Sequence, residues 1–315
     1  MPVPVIIPVA RSFAVRGGDG DRVAQWERHN AEALIPLTCD AAAGGGFEAV
    51  ESNLQLSRLH LARVAASGHG VARTALLAET LPVRSVAVYA SVRGRAVFER
   101  DGRRRVIGPG QLLICDADGP FRREFSRGLL ELVVKVPHAA LEEALGRRPP
   151  VLPLVLSSGP YVDALVGLVD RAVRHRRPVP VDEHALLELV AWLVADGHVD
   201  AAMGHRVTAR AYVEQQLDDP ALCATAVGRA AGVSDRTLTR AFAAAGTSLP
   251  RYVLGRRLDA AYGILVTPGA PPTAEVAAGL GFASPAYFSQ SFRRRFGVAA
   301  GTVRRTGHGA QEPAA

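Results

Sequence analysis

The period of the apolar positions changes twice along the chain. Over residues 22–37 they recur at helical spacing, with Val23, Trp26, Ala33 and Leu34 on one side, and Gly44 to Gly46 then break the pattern. From Phe47 to Val136 short β-prone runs take over, at 54–64, 85–92, 95–99, 111–115 and 129–136. Turn signals separate them at Arg93-Gly94, Asp101-Gly102, Gly108-Pro109-Gly110 and Asp118-Gly119-Pro120. Evenly spaced short strands predict an antiparallel barrel or sandwich. Beyond Pro137 the helical period returns over 139–145, 160–175 and 182–196. Leu165, Leu168, Val169 and Val173 form one stripe, and Leu186, Leu189, Val190 and Leu193 another; both predict core faces, with a dimer face as the alternative. Residues 197–206 have the composition of a linker.

The remainder is helical and partly duplicated. In TAVGRAAGVSDRTLTRAF, residues 225–242, a first helix runs to Ala231, Gly232 and Val233 make a tight turn, and Ser234 caps a helix beginning at Asp235. Val227, Val233, Leu238 and Phe242 form the buried side, and the small Gly228 lets the two helices approach. Asp235, Arg236, Thr237, Thr239 and Arg240 face outward. The same grammar returns in TAEVAAGLGFASPAYFSQSFRRRF, residues 273–296. Val276 and Ala277 take the buried and small positions, Gly281 turns, Phe282 plugs the turn, and Ser284 caps a helix whose first position is Pro285. Phe288 and Phe292 replace Leu238 and Phe242, leaving Tyr287, Ser289, Gln290, Arg293 and Arg294 outward. Between the copies, residues 250–266 read as one helix with Tyr252, Leu258, Tyr262 and Leu265 as its seam. Seventeen residues span about 25 Å at about 1.5 Å each, enough to set two recognition helices near one turn of B-DNA apart, about 34 Å.

Charge follows the same division. Residues 1–205 hold 24 Lys+Arg against 23 Asp+Glu, whereas residues 206–315 hold 13 against 7. A basic segment beside a neutral one is the footprint of phosphate-backbone binding. A length of 315 residues suits two domains, and 48% hydrophobic with 21% charged residues suits folded, soluble ones. No apolar run approaches the roughly 18 residues that cross a bilayer, and MPVPVIIPVARSF lacks a basic leader, so a cytoplasmic protein is expected. Cys39, Cys115 and Cys223 form no C-x-x-C pair, so neither a disulfide framework nor a structural zinc site is expected.

The stretch from Leu217 to Arg304 resembles the AraC/XylS family of bacterial transcription regulators. The resemblance rests on DDPALC at 218–223, GVSDRTLTRAF at 232–242, GTSLPRYVLGRRLDAAYGIL at 246–265 and VAAGLGFASPAYFSQSFRRRFGV at 276–298. Departures are Gly228 for the usual Ala, Cys223 where a Ser or Thr cap is common, Gln290 where Arg is frequent, and Ala299-Ala300 for Ser-Pro. The resemblance implies base contacts from Asp235, Arg236, Thr237, Thr239, Arg240, Pro285, Ala286, Tyr287, Ser289 and Gln290, and phosphate contacts from Ser234, Ser284, Arg293, Arg294 and Arg304. Residues 24–145 are similar to the N-terminal domain of a subset of the family, on RAVFERDGRRRVIGPGQLLICDADGPFRREF at 95–125 and LVVKVP at 132–137. That domain is a cupin-like β-barrel that senses a small molecule or pairs subunits.

The resulting expectation is a multidomain α+β protein: an N-terminal cupin-like barrel with flanking helices, then an all-α domain of two helix-turn-helix units joined by a long helix. Its segments are a tail at 1–20, the sensing or dimerisation domain at 21–196, a linker at 197–206, the DNA-binding domain at 207–306 and a tail at 307–315. The implied partners are double-stranded promoter DNA, RNA polymerase, an unidentified small-molecule effector and a second copy of the chain, with no membrane. The alternatives are a constitutive DNA binder whose barrel only dimerises, and a cupin enzyme. Cupin catalysis needs clustered histidines and a carboxylate on a metal. The barrel stretch offers only His60 and His69 and no H-x-H, and no G-x-S-x-G, P-loop or Rossmann fingerprint is present, so neither a cofactor, a metal nor catalysis is expected. Arg103 to Arg105 read as a solvated hairpin tip, the alternative being a holder for an anionic effector.

Overall fold

A computed structural model describes residues 10–16, 21–41, 46–150, 152–174, 181–196 and 200–308. The chain forms two compact units, one holding Ala10–Arg176 and Glu183–His198, the other the chain from Val199 onward.

The first unit begins with strand β1 (Arg11–Val15), helix α1 (Arg22–Ala33), β2 (Thr38–Ala41), β3 (Ala49–Gln55), β4 (His60–Ala66) and β5 (His69–Arg73). Next come α2 (Ala75–Thr80), β6 (Ser85–Arg93), β7 (Ala96–Arg100), β8 (Arg103–Ile107), β9 (Leu112–Asp116), β10 (Phe121–Phe125) and β11 (Leu129–Pro137). It ends with α3 (His138–Leu145), β12 (Leu154–Leu156), α4 (Pro160–Arg174) and α5 (Glu183–Val194). The strands make two antiparallel sheets, ordered β1-β3-β4-β11-β6-β9-β12 and β2-β5-β10-β7-β8. Trp26, Ile35, Ala62, Tyr89, Phe98, Phe125 and Val133 fill the space within, which makes the unit the expected cupin-like barrel. Helix α4 lies against β3, β4 and β11, and α3 packs on α5. All eight residues of the two predicted stripes are buried, so they are core.

Several expectations are corrected here. The tail assigned to 1–20 contains β1, in which Phe13 stacks on His29 at 3.9 Å and Val15 is buried; residues 1–9 and 17–20, like 42–45, lie outside the described residues. The run 54–64 is the end of β3, a turn, and the start of β4. Its turn is fixed by the Glu183 carboxylate, which accepts from the Arg58 and Leu59 N–H groups at 2.6 Å each. Helix α1 stops at Ala33, before Pro36. Strands β8 and β10 escape a hydrophobicity pattern because RRRVI and FRREF are dominated by arginine. Inward-facing Arg123 is tolerated because Glu131 accepts two of its hydrogen bonds, at 3.0 and 2.6 Å.

In the second unit the segment 197–206 is not a linker throughout. From Ala201 it is helix α6 (Ala201–Gln215), capped by the Asp200 carboxylate on the Met203 N–H, with Arg206, Val207, Ala209 and Arg210 buried. Residues 197–199 lie outside the described residues. There follow α7 (Ala224–Ala230), α8 (Asp235–Ala244), α9 (Leu249–Leu265), α10 (Thr273–Gly279), α11 (Pro285–Phe296) and α12 (Ala300–His308). The tail drawn from 307 therefore starts inside α12, and residues 309–315 lie outside the described residues. Tyr252, Leu258 and Leu265 of the 17-residue α9 are buried, so the predicted seam faces the core.

Candidate nucleic-acid interface

Two helix pairs, α7–α8 and α10–α11, are built alike. Gly232 and Gly281 adopt φ of 67° and 72°, a left-handed turn that costs glycine little. The next residue closes each turn on the preceding helix: the Val233 N–H donates to the Gly228 carbonyl at 2.9 Å and the Phe282 N–H to the Ala277 carbonyl at 3.0 Å. A Cβ on Gly228 would stand 3.0 Å from the Val233 carbonyl oxygen, a tight approach, while Ala277 carries one at the corresponding crossing of the second pair. Ser234 and Ser284 cap α8 and α11 by accepting from Thr237 and Tyr287 N–H groups at 3.3 and 3.2 Å.

Burial then divides each second helix lengthwise. In α8, Leu238, Ala241 and Phe242 are buried, Asp235, Arg236, Thr239 and Arg240 are exposed, and Thr237 is half-buried. In α11, Phe288, Ser291 and Phe292 are buried, while Pro285, Ala286, Tyr287, Ser289, Gln290, Arg293 and Arg294 are exposed. Arg240 and Gln290 stand at the same outward place, two residues beyond Leu238 and Phe288. The structure brings the ten expected base-contact positions onto two corresponding helix faces. Asp235 also has an internal contact, from the Thr225 hydroxyl at 3.4 Å, and the Thr239 hydroxyl donates to the Asp235 carbonyl at 2.8 Å.

Arg304 differs from Arg293 and Arg294. It is half-buried on α12 and its Nε donates to the Ala270 carbonyl at 3.1 Å, so it holds α12 in the fold. Arg295 also turns inward: its Nε and Nη2 reach the Asp259 carboxylate at 2.7 and 2.9 Å. Asp259 in turn accepts from Arg256 at 3.0 Å, and Arg256 donates to Glu214 at 2.6 Å. This chain of charge, buried from Glu214 to Asp259 and ending on the partly exposed Arg295, runs from α6 through α9 to α11, and sequence patterning missed it. The available signal was Arg256 and Asp259 at i,i+3, among the apolar seam positions of α9. Arg257 adds a second tie, donating to the Leu217, Asp219 and Gly281 carbonyls at 3.1, 2.7 and 3.2 Å.

The barrel interior is polar in places. Glu51 is fully buried with neither oxygen hydrogen-bonded, and burial pushes its carboxyl up to about 7. Burial takes His60 down to about 4, and its ring nitrogen lies 3.0 Å from Asn53. His29, outside the predicted barrel stretch, joins this group 3.7 Å from Glu51. Among the described residues one group, Asp116, Asp118 and His138, has donor types and spacing that suit a cation. Its oxygens already serve the fold: Asp116 accepts the Asp118 N–H at 2.9 Å and Asp118 the Val83 N–H at 2.6 Å. No helix among the described residues is long and apolar enough to cross a membrane.

A family model described as an AraC-binding-like domain matches residues 26–222, well over half the chain, and one described as a helix-turn-helix domain matches 227–306. The transcriptional activator NphR of Rhodococcus sp is 25% identical over 319 residues, covering 95% of this chain and 94% of its own. The transcriptional activator RhrA of Rhizobium meliloti (strain 1021) is 36% identical over 94 residues, 30% of each chain. The crystal structure of the AraC-like transcriptional activator CuxR aligns over 79% of this chain and 94% of its own, with a TM-score of 0.46 and 19% identity. The chain belongs to the AraC family, an AraC-binding-like domain followed by a helix-turn-helix domain, and is a DNA-binding transcription regulator.

Proposed function

We propose that this protein activates transcription from the cytoplasm by reading two adjacent major-groove segments of promoter DNA, one with α8 and one with α11. The observation that carries this reading is the pair of matching exposed faces, each set by a capped helix on a glycine turn. Asp235, Arg236, Thr237, Thr239 and Arg240 contact bases in one segment, and Pro285, Ala286, Tyr287, Ser289 and Gln290 in the other. Arg293 and Arg294 neutralise phosphates, and Ser234 and Ser284 set the caps beside them. Activation is supported by the similarity to NphR along nearly the whole chain. The regulator works as a homodimer, contacts RNA polymerase at the promoter, and acts by binding and not by catalysis; the barrel unit controls dimerisation in response to a small effector.

The domain boundaries follow the helices: the DNA-binding part begins at the Asp200 cap of α6. A fragment from Asp200 to the end should fold and bind DNA more weakly than the full dimer, with affinity falling steeply with salt. A fragment that is helical by circular dichroism yet has no affinity for promoter DNA at low salt would sink the proposal.

A further inference from the structure

Among the described residues of the barrel interior, the cavity among Trp26, Tyr89, Arg123 and Phe125 holds about 30 Å³. A larger one, of about 400 Å³, lies at the β7–β8 hairpin, walled by Phe98, Leu152 and Pro153 and rimmed by Arg100, Arg103 and Arg105.

Strand alternation puts the arginines there. Across the ladder Phe98 pairs with Arg105 and Arg100 with Arg103. These four side chains therefore share one face of the sheet, the face on which Phe98 is 1% exposed in the core. Arg104 belongs to the opposite face, where Glu99 at 2.9 Å and Glu124 at 3.7 Å neutralise it. Among the described residues the three arginines on the Phe98 face have a single carboxylate within ion-pair reach, Asp101, 3.6 Å from the Arg100 Nε. The Arg100 Nη1 is shut off from solvent without a hydrogen-bond partner. Its guanidinium lies over Gly119, where a Cβ would stand 2.5 Å from Nη2, so the position of Arg100 depends on that glycine. Three guanidiniums on one face with one carboxylate between them give a net positive cavity whose apolar walls are already in place.

We propose that this cavity binds a small organic anion, a carboxylate or phosphate monoester carried on a flat apolar body. Arg103 and Arg105 engage the anionic group through their forked N–H donors, Arg100 completes the rim, and Phe98, Leu152 and Pro153 take the apolar part. That this anion is the effector rests on the regulator reading above; that it binds here does not.

The test is calorimetric titration of the full chain at low salt with benzoate, phenyl phosphate and the uncharged benzamide. Both anions should bind at about millimolar Kd or tighter and benzamide about tenfold or more weaker. R103A/R105A, which truncates two exposed side chains, should weaken the anions about tenfold. Gly119→Ala, which displaces the Arg100 guanidinium, should weaken them by a smaller factor. No heat from either anion, equal binding of benzamide, or undiminished binding to R103A/R105A overturns the site. Affinity for a promoter fragment, measured without added anion, should be the same for R103A/R105A and the parent protein. A loss there would assign these arginines to DNA phosphates and overturn the proposal, while DNA binding by the parent protein would leave the regulator reading standing.

Discussion

The two helix-turn-helix units share a backbone plan but are held together differently. The first has a thin core in which Leu238 and Phe242 meet Val227, and it leans on α6, whose Arg206 donates to the Ala241 carbonyl at 3.1 Å and whose Arg210 lies 5.2 Å from the Tyr252 ring. The second is a row of aromatic rings in edge-on and tilted contact: Phe282, Phe288, Phe292 and Phe296 follow one another at centroid distances of 5.0, 5.5 and 4.6 Å, with Tyr262 4.8 Å from Phe296. It also receives the Asp259–Arg295 bridge. Charge divides likewise, since α8 carries Asp235 beside Arg236 and Arg240, whereas α11 ends on Arg293, Arg294 and Arg295 with no acid. One scaffold can thus be stiffened by different forces, and on the proposed reading this separates the tasks. On that reading the second unit would anchor to phosphates, and the first would carry the sharper base-reading side chain, the fork of Arg240.

Breaking the bridge should have the largest effect. Asp259 is buried and accepts from Arg256 and Arg295, so Asp259→Ala leaves Arg256 with Glu214 alone and frees Arg295. The expected loss is about 3 kcal/mol of stability in denaturant unfolding of the full chain. Asp259→Asn, which keeps the shape, should blur the half-element read by α11 more than that read by α8 when sites are selected from a random library. Equal blurring of both would mean that the bridge supports the whole unit and not the second pair of helices.

Base readout comes next. The arginine fork of Arg240 matches the O6 and N7 acceptors of guanine, and the amide of Gln290 matches the N6 donor and N7 acceptor of adenine. Selected sites should prefer guanine in one half and adenine in the other. Arg240→Ala should cost about 1 to 3 kcal/mol at one guanine only. Gln290→Arg should move the second preference from adenine towards guanine, and an unchanged site would remove Gln290 from the base contacts.

A smaller effect separates anchoring from reading. Arg293→Ala or Arg294→Ala should weaken binding to all sequences and flatten the salt dependence by about one unit per lost contact. Arg304→Ala should leave that slope unchanged, because its side chain is turned to the Ala270 carbonyl. A base-specific loss for Arg293→Ala would end the division of labour between the two units.

Arg304 also marks where the sequence stops being legible. Capped helices, glycine turns and apolar stripes follow from local rules, so α8, α9 and α11 could be placed within a residue or two. The exposed faces followed from the same period. What the pattern could not supply were charges placed inside by distant partners. FRRRF reads as three like arginines, yet only Asp259, on α9, sends Arg295 inward. Arg123 in β10 depends in the same way on Glu131 in β11. The hairpin arginines show another limit: alternation assigns a face only once it is known which neighbour is core, and buried Phe98 places Arg103 and Arg105, both exposed as a hairpin tip requires, on the face that rims the cavity.

The smallest expected effect tests whether the first unit is the looser one. Helices α8, α9 and α11 each begin with a serine whose hydroxyl accepts a backbone N–H, at 3.3, 3.4 and 3.2 Å. Helix α7 begins at Cys223, which has the extended backbone of a cap, φ −135° and ψ 164°, but makes no side-chain cap bond; its counterpart α10, which follows Pro272, makes none either. A thiol is a weak acceptor, so the first N–H groups of α7 lack the partner the serine-capped helices have. Cys223→Ser places a hydroxyl where the backbone already has cap geometry, and should add about 0.5 to 1 kcal/mol. Cys223→Ala, which removes a side chain that caps nothing, should change stability little. The gain should appear as slower amide hydrogen exchange in α7 and α8 with α10 and α11 unchanged, because the second pair is already held by its row of aromatic rings and Asp259. If exchange slows equally in both pairs, the two units open together and the contrast between them lies in charge alone. If serine gives no gain over alanine, the start of α7 is not the weak point, and the looseness of the first unit must be sought in its thin core at Leu238.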